Sequence, residues 1–69
     1  MEREPVSSTI IASVGYDATS ETLEIEFVSG DVHRYLGVSE FVVRRFLAAD
    51  SLGAFFNRFI RDAYDSTPA

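Results

Sequence analysis

Cysteine, tryptophan and lysine are all absent from this 69-residue sequence. Without cysteine, the protein has neither a disulfide bond nor a thiolate metal site. No apolar run approaches the roughly 20 residues of a membrane-spanning helix. The polar stretch Met-Glu-Arg-Glu-Pro at residues 1–5 lacks the apolar core of a signal peptide. We therefore expect a soluble, cytoplasmic protein without a membrane partner.

Positive charge is scarce, since six arginines stand against eleven acidic residues and the net charge is −5. Residues 1–32 carry seven of the acidic residues and one arginine, whereas residues 33–69 carry four acidic residues and five arginines. Such a chain as a whole has no long-range attraction for a polyanion. Any nucleic-acid binding is therefore expected to use the second half.

Aromatic residues are plentiful by contrast, and four of the nine lie in residues 51–64. The pattern there is typical of an amphipathic helix with a wide apolar arc, which needs a sheet or another helix to cover it. The arc consists of Leu52, Phe55, Phe56, Phe59, Ile60, Ala63 and Tyr64. We expect one core that combines Phe55, Phe56, Phe59 and Ile60 with Ile25, Phe27, Val42 and Phe46.

Three strands precede this helix in the prediction. Period-two alternation predicts strands over residues 8–16, 22–28 and 31–36, and Ser39 is a suitable N-cap for a first helix over residues 40–49. The order β-β-β-α-α predicts an α+β domain, in which a three-stranded antiparallel meander is followed by two helices packed on one face. Residues 8–64 form this single domain, and residues 1–7 and 65–69 are predicted to be flexible ends.

The turn between the second and third strands allows two registers. A two-residue turn at Ser29-Gly30 would turn Arg34 toward the core and expose Tyr35. A three-residue loop with Gly30 in the left-handed conformation pairs Ile25 with His33 and keeps Tyr35 in the core. We favour the three-residue loop, because it avoids a buried arginine and sets Arg34 opposite Glu24 on the outer face.

Few residues are candidates for catalysis. His33 is the only histidine, no cysteine is available as a nucleophile, and no metal-ligand spacing is present. Glu24 and Glu26 share one strand face, which is the usual arrangement of a solvated face. We therefore expect no enzyme activity, no metal site and no cofactor.

A binding surface on the helices is the stronger hypothesis. On the first helix Phe41 lies outside the apolar stripe together with Arg44 and Arg45. Its ring either stacks on a base or folds back onto the sheet or the second helix. We favour the folded-back ring with solvated arginines, because arginine stems commonly cover apolar surface. Arg58 and Arg61 precede Asp62 and Asp65 by four residues, a spacing that predicts ion pairs and partial neutralisation. The nucleic-acid candidates are therefore Phe41, Arg44, Arg45, Arg58 and Arg61, with His33 and Tyr35 as a less favoured stacking pair. We expect Arg44 and Arg45 to contribute most.

An alternative function is protein–protein interaction or homodimerisation through the exposed sheet face. The alternation of the first strand places Val14 on the core face and Ile11 on the outer face of the sheet. The favoured hairpin register adds Val32 and Leu36 to this outer face. Ionic strength separates the two functions, because phosphate binding weakens steeply with salt and apolar docking hardly does.

The sequence as a whole resembles the KTSC domain family, which is named for the C-terminal extension of certain lysyl-tRNA synthetases. The resemblance runs from about Val6 to Tyr64. It rests on Gly15-Tyr16-Asp17, the hairpin Leu23-x-Ile25-x-Phe27-x-x-Gly30, and above all Ser51-x-Gly53-x-Phe55-Phe56-Asn57-x-x-Ile60-Arg61-x-x-Tyr64. His33 departs from a Tyr-x-Tyr pair that the family often carries. The resemblance implies a small bacterial-type binding domain, and its synthetase context implies weak RNA or tRNA binding.

Overall fold

Five antiparallel strands form one sheet in the computed structural model, which describes all 69 residues. The strands follow one another in chain order across the sheet, and the helices lie between the fourth and fifth strands. The elements are β1 (Glu4–Pro5), β2 (Ile11–Asp17), β3 (Thr22–Phe27), β4 (Val32–Leu36), α1 (Glu40–Leu47), α2 (Leu52–Phe55), a π-helical turn (Phe56–Ile60) and β5 (Ser66–Pro68).

The predicted three-stranded meander is wrong in strand number, although the fold is α+β. Glu4 pairs with Val14 at one edge of the sheet, and Thr67 pairs with Arg34 at the other. Strands of two or three residues are too short to show an alternating pattern, and prolines inside them argue against a strand in the sequence. The sequence therefore predicts the residues of β1 and β5 as parts of the two chain ends. The flexibility expected for residues 1–7 and 65–69 stays a prediction.

The hairpin between β3 and β4 confirms the three-residue loop. Ile25 pairs with His33, and Glu24 pairs with Arg34. Gly30 has a φ of 98°, a conformation that is strained for any residue with a Cβ atom. The amide of Phe27 donates to the carbonyl oxygen of Asp31 at 2.9 Å and closes the loop.

A β-bulge in β2 overturns the predicted alternation of the first strand. Ile11 pairs with Phe27 and Ser13 pairs with Glu26, so the register shifts by one residue between them. A bulge adds one residue to one strand and reverses the faces that follow. Ile11 therefore lies on the core side and is fully buried, rather than on the outer face as predicted.

Serine side chains begin both helices. The Ser39 hydroxyl accepts the amide of Val42 at 3.3 Å, and the Ser51 hydroxyl accepts the amide of Ala54 at 3.1 Å. Each satisfies one of the amides that a helix start leaves without a partner. The first helix ends at Leu47, two residues before the predicted end.

The second helix widens into a π-helical turn and ends at Ile60, not at Tyr64 as predicted. The amide of Arg61 donates to the carbonyl oxygen of Phe56 at 2.8 Å, five residues earlier. A wider turn changes which side chains face the sheet. Phe56 and Ile60 are buried, whereas Phe59 is 50% exposed. The prediction of Phe59 as a central core residue is therefore wrong.

Phe56 is the aromatic centre of the core. Its ring meets the ring of Phe27 edge-on at a centroid distance of 5.3 Å and the ring of Tyr35 at 5.5 Å. Such edge-to-face contacts are favourable beyond the buried area alone. The fully buried apolar residues around this centre are Ile11, Leu23, Ile25, Val38, Phe46 and Ile60.

Replacing Phe56 with alanine should lower the free energy of unfolding by about 3–5 kcal/mol, because its ring is buried between two others. Phe59→Ala on the same turn should cost about 1 kcal/mol or less, because half of its ring is in solvent. Urea denaturation of the two variants measures both losses. Equal losses would show that the two rings do not differ in burial.

An ionic cluster occupies the outer face of the sheet. Glu24 is only 2% exposed, and its carboxylate accepts Arg34 Nε at 2.9 Å and Arg3 Nη1 at 2.5 Å. The pairing of Glu24 with Arg34 confirms the prediction from the hairpin register. Arg3 also donates from Nε to the Ser13 hydroxyl at 3.0 Å. Two guanidinium groups therefore compensate one buried carboxylate.

Gly15 lets the segment that carries Arg3 approach the sheet. A Cβ atom at position 15 would lie 2.5 Å from the carbonyl oxygen of Glu2, closer than real contacts allow. The absence of a side chain at Gly15 therefore lets residues 2–3 lie flat across β2.

The hydrogen bond from Arg34, together with Arg3, holds the pKa of Glu24 below its ordinary value of 4.5, although burial acts in the opposite direction. A carboxyl group whose pKa is lower in the folded state than in the unfolded state stabilises the protein at a pH above its unfolded-state pKa. This stabilisation is lost as the pH falls through its folded-state pKa. We therefore expect the urea midpoint to fall below about pH 4.5. Glu24→Gln should be less stable than the parent at neutral pH and show a flatter profile in acid. An unchanged acid profile in this variant would contradict the assignment.

Candidate functional site

A groove of about 280 Å³ lies between α1 and the segment formed by α2 and its π-helical turn. Five of its six lining residues are hydrophobic. We call this feature the α1–α2 groove; it is lined by Phe41, Val42, Arg45, Phe55, Phe59 and Tyr64.

Phe41 forms an open wall of the groove. Its ring is 66% exposed, and the Arg45 guanidinium carbon lies 5.6 Å from the ring centroid. Phe41 makes no aromatic pair with another ring, in contrast to Phe55 and Phe59. The favoured prediction of a ring folded back onto the sheet or the second helix is therefore wrong. An exposed aromatic face beside a cation is suited to stacking on a flat ligand.

Phe59 forms a second aromatic wall with an arginine beside it. The Arg58 guanidinium carbon lies 5.4 Å from the ring centroid. The ring packs against Phe55 at 4.8 Å, and Phe55 packs in turn against the buried Phe46 at 5.7 Å. Phe59 is therefore supported from the core while half of its surface remains in solvent.

The predicted ion pairs of the second helix do not form. The three ion pairs of the protein are Arg3–Glu24, Arg34–Glu24 and Arg44–Glu40. Arg58 and Arg61 have no carboxylate within ion-pair distance, because the helix ends at Ile60 and its wide turn breaks the four-residue spacing. Their predicted neutralisation is therefore wrong.

Arg44 and Arg45 also differ from each other. Arg44 donates to Glu40 at 2.7 Å on an exposed helix face, and it does not line the groove. Arg45 lines the groove and has no carboxylate partner. The structure therefore brings Phe41 and Arg45 together with Phe59 and Arg58, and sets Arg44 apart.

Tyr35 and His33 lie away from this surface. Tyr35 is buried, as the favoured register predicts, and burial raises the pKa of its hydroxyl while the charge of Arg61 acts in the opposite direction. His33 is half-buried and meets the Phe27 ring edge-on at 6.0 Å. Neither residue lines the groove, so they do not form a stacking pair with the residues of α1.

The outer sheet face presents less apolar surface than expected. Ile11 is fully buried on the other side, Val32 is half-buried and Leu36 is exposed. Residues 2–3 and the ionic cluster around Glu24 cover the middle of this face. The largest exposed aromatic residues lie instead on the helical side.

Four residues of the groove are not predicted as binding residues by the sequence: Val42, Phe55, Phe59 and Tyr64. Val42 belongs to the predicted core, and the other three belong to the predicted buried arc of the second helix. The sequence does contain one signal, the width of that arc, which fills half of the helical wheel and is wider than the stripe of about 100° that a surface helix needs.

No group of three or more histidine, cysteine, aspartate or glutamate side chains comes close enough to hold a metal ion. No helix has the length and apolar character needed to cross a membrane.

We predict that His33 has no metal-binding or catalytic role, because a lone imidazole beside an aromatic ring lacks further ligands. Titration with zinc or nickel should leave the melting temperature unchanged. A clear stabilisation by either metal that disappears in His33→Ala would contradict this prediction.

Comparison with known proteins identifies the family. The family model described as the KTSC domain matches residues 7–64. The chain belongs to the KTSC domain family. An uncharacterized protein of Stutzerimonas stutzeri is 43% identical over 61 residues, which cover 88% of this chain and 86% of that protein. A protein of Tsukamurella paurometabola is 33% identical over 61 residues, which cover 88% and 91%.

The fold is also shared with a solved structure. The crystal structure of a KTSC domain protein from Yersinia pestis superimposes with a TM-score of 0.96 at 38% sequence identity. The match covers 99% of this chain and 96% of the other. The five-stranded sheet with its helical cover is therefore an arrangement that this KTSC domain shares with an experimental structure.

Proposed function

We propose that this KTSC domain is a non-enzymatic binding module that holds single-stranded RNA weakly on its helical side. The observation that carries the proposal is the pair of exposed phenylalanines, Phe41 and Phe59, each with an arginine beside its ring. Aromatic rings that stack on bases, with arginines nearby, are the usual elements of single-strand recognition.

The charges on this side also favour the proposal. Arg45, Arg58 and Arg61 have no carboxylate partner, so their charges are available to phosphates. Seven of the eleven acidic residues lie in residues 1–32, on the first three strands and the loops beside them. A net charge of −5 still opposes a polyanion at long range, and the binding is therefore expected to be weak.

Transfer RNA is the source of single strands that the family resemblance suggests, through the lysyl-tRNA synthetase extensions for which the family is named. Such a ligand fits the cytoplasmic location expected from the sequence. Its loops and its 3′ end offer unstacked bases, which proteins recognise more readily than the deep groove of an RNA helix.

We expect a dissociation constant of about 10⁻⁴ M or weaker at physiological salt, with a log–log salt slope of about −2 for three phosphate contacts on a single strand. Fluorescence anisotropy with a labelled single-stranded oligonucleotide and a labelled tRNA, at low and physiological salt, measures both quantities. Arg45→Glu should abolish binding. Arg44→Glu, on the adjacent residue of α1, should weaken it less, because Arg44 is paired with Glu40 and lies outside the groove.

The two variants carry the same change of charge and differ in place, so they form a matched pair. Equal losses in both would show that binding follows overall charge and does not use the groove. If the parent binds neither RNA at low salt, RNA is ruled out as the ligand, and a protein ligand becomes the hypothesis for this surface.

A further inference from the structure

We infer that the α1–α2 groove holds one unpaired nucleobase of a single nucleotide, with the base stacked on Phe41. This inference rests on the proposed function and specifies its ligand. It predicts that a mononucleotide binds without the rest of an RNA strand.

The size of the groove supports a ligand of this class. Its volume of about 280 Å³ is just below the roughly 300–1,000 Å³ of sites for drug-sized ligands, which suits a smaller ligand. A groove of that volume accepts one planar ring system, and a duplex or a dinucleotide cofactor does not fit within it. The occupant is therefore a single base, while any neighbouring nucleotides remain outside.

The walls are suited to a flat ring. The Phe41 ring is 66% exposed and contacts no other aromatic ring, so the face not covered by Arg45 is free. Phe55 and Phe59 form the wall on the other helix. A base between these walls contacts aromatic rings from both helices. A flexible aliphatic side chain in the same place would contact less of the flat ring surfaces.

Polar groups at the groove match the polar parts of a nucleotide. Tyr64 lines the groove, and no hydrogen bond within the protein uses its hydroxyl. By contrast, the hydroxyl of Tyr16, which lies outside the groove, donates to the carbonyl oxygen of Val38 at 2.6 Å. The Tyr64 hydroxyl is therefore available to a base edge or a ribose. Arg45, which lines the same groove without a carboxylate partner, is available to the phosphate.

The small number of polar groups also predicts weak base selectivity. With Arg45 on the phosphate, only the Tyr64 hydroxyl is available to the base edge, and one hydroxyl cannot distinguish four bases by hydrogen bonding. Stacking area therefore decides the order of affinities. Purine nucleotides are expected to bind more tightly than pyrimidine nucleotides, because the larger ring system covers more of the aromatic wall.

The test is a titration of the ¹⁵N-labelled protein by NMR with three probes: AMP, UMP and ribose 5-phosphate. AMP should shift the amides of Phe41, Arg45, Phe59 and Tyr64 and bind more tightly than UMP. Ribose 5-phosphate should cause little shift, because it lacks a base. Phe41→Ala should weaken AMP binding by about tenfold, the usual effect of losing one stacking ring.

Leu47→Ala is the matched control, since Leu47 lies on the same helix, is 49% exposed and does not line the groove. It should leave AMP binding unchanged. Tyr64→Phe keeps the ring and removes only the hydroxyl, and it should weaken AMP binding by a few-fold without changing the melting temperature.

The outcomes separate this inference from the proposed function. If ribose 5-phosphate binds as well as AMP, or if Phe41→Ala binds single-stranded RNA as tightly as the parent, the base site is wrong while RNA binding through arginines stands. If AMP binds in the groove while RNA does not bind even at low salt, the nucleotide site stands and the RNA function is wrong. If neither binds, both are overturned.

Discussion

The contact of Phe56 with Phe27 and Tyr35 is the one on which the rest of the structure depends. A sheet of this size has a single apolar face, and one helical segment must cover most of it. Phe56 stands at the centre of that cover and at the first residue of the π-helical turn. Its position therefore decides which residues follow on each side: Ile60 enters the core, and Phe59 leaves it. The contact that closes the core also creates the exposed aromatic surface.

The two faces of the sheet are stabilised by different forces. Apolar and aromatic contacts close the inner face, while on the outer face a buried carboxylate is held by two arginines from separate strands and segments. Breaking such a cluster by removing one partner is costly, because the remaining charge stays buried. The outer face is thus occupied by charged groups that pair with one another, and the exposed aromatic side chains lie on the helical side.

Local patterns allowed part of this structure to be predicted from the sequence. The position of Gly30 and the cost of burying Arg34 are enough to predict the register of the hairpin between β3 and β4. The register in turn predicts that Tyr35 is buried. The bulge that buries Ile11 and the wide turn that exposes Phe59 each change the period of an element by one residue. The amino-acid pattern does not mark the position of either, because tertiary packing decides where the extra residue goes. The second wall of the groove follows from that turn and is not predicted by the sequence, whereas Phe41 and Arg45 lie on a regular helix and are binding candidates in the sequence as well.

The two edges of the sheet have a further consequence for how copies of the protein meet in a crowded solution. A long, flat outermost strand offers a row of unpaired amides and carbonyls onto which another chain can add, and aggregation begins in this way. Here the outermost strands are Glu4–Pro5 and Ser66–Pro68, and each contains a proline, which lacks an amide hydrogen. The longer strands β2 and β4 are covered by them. The two short edge strands β1 and β5 add little to the core. They protect the sheet from edge-to-edge aggregation with other copies of the protein.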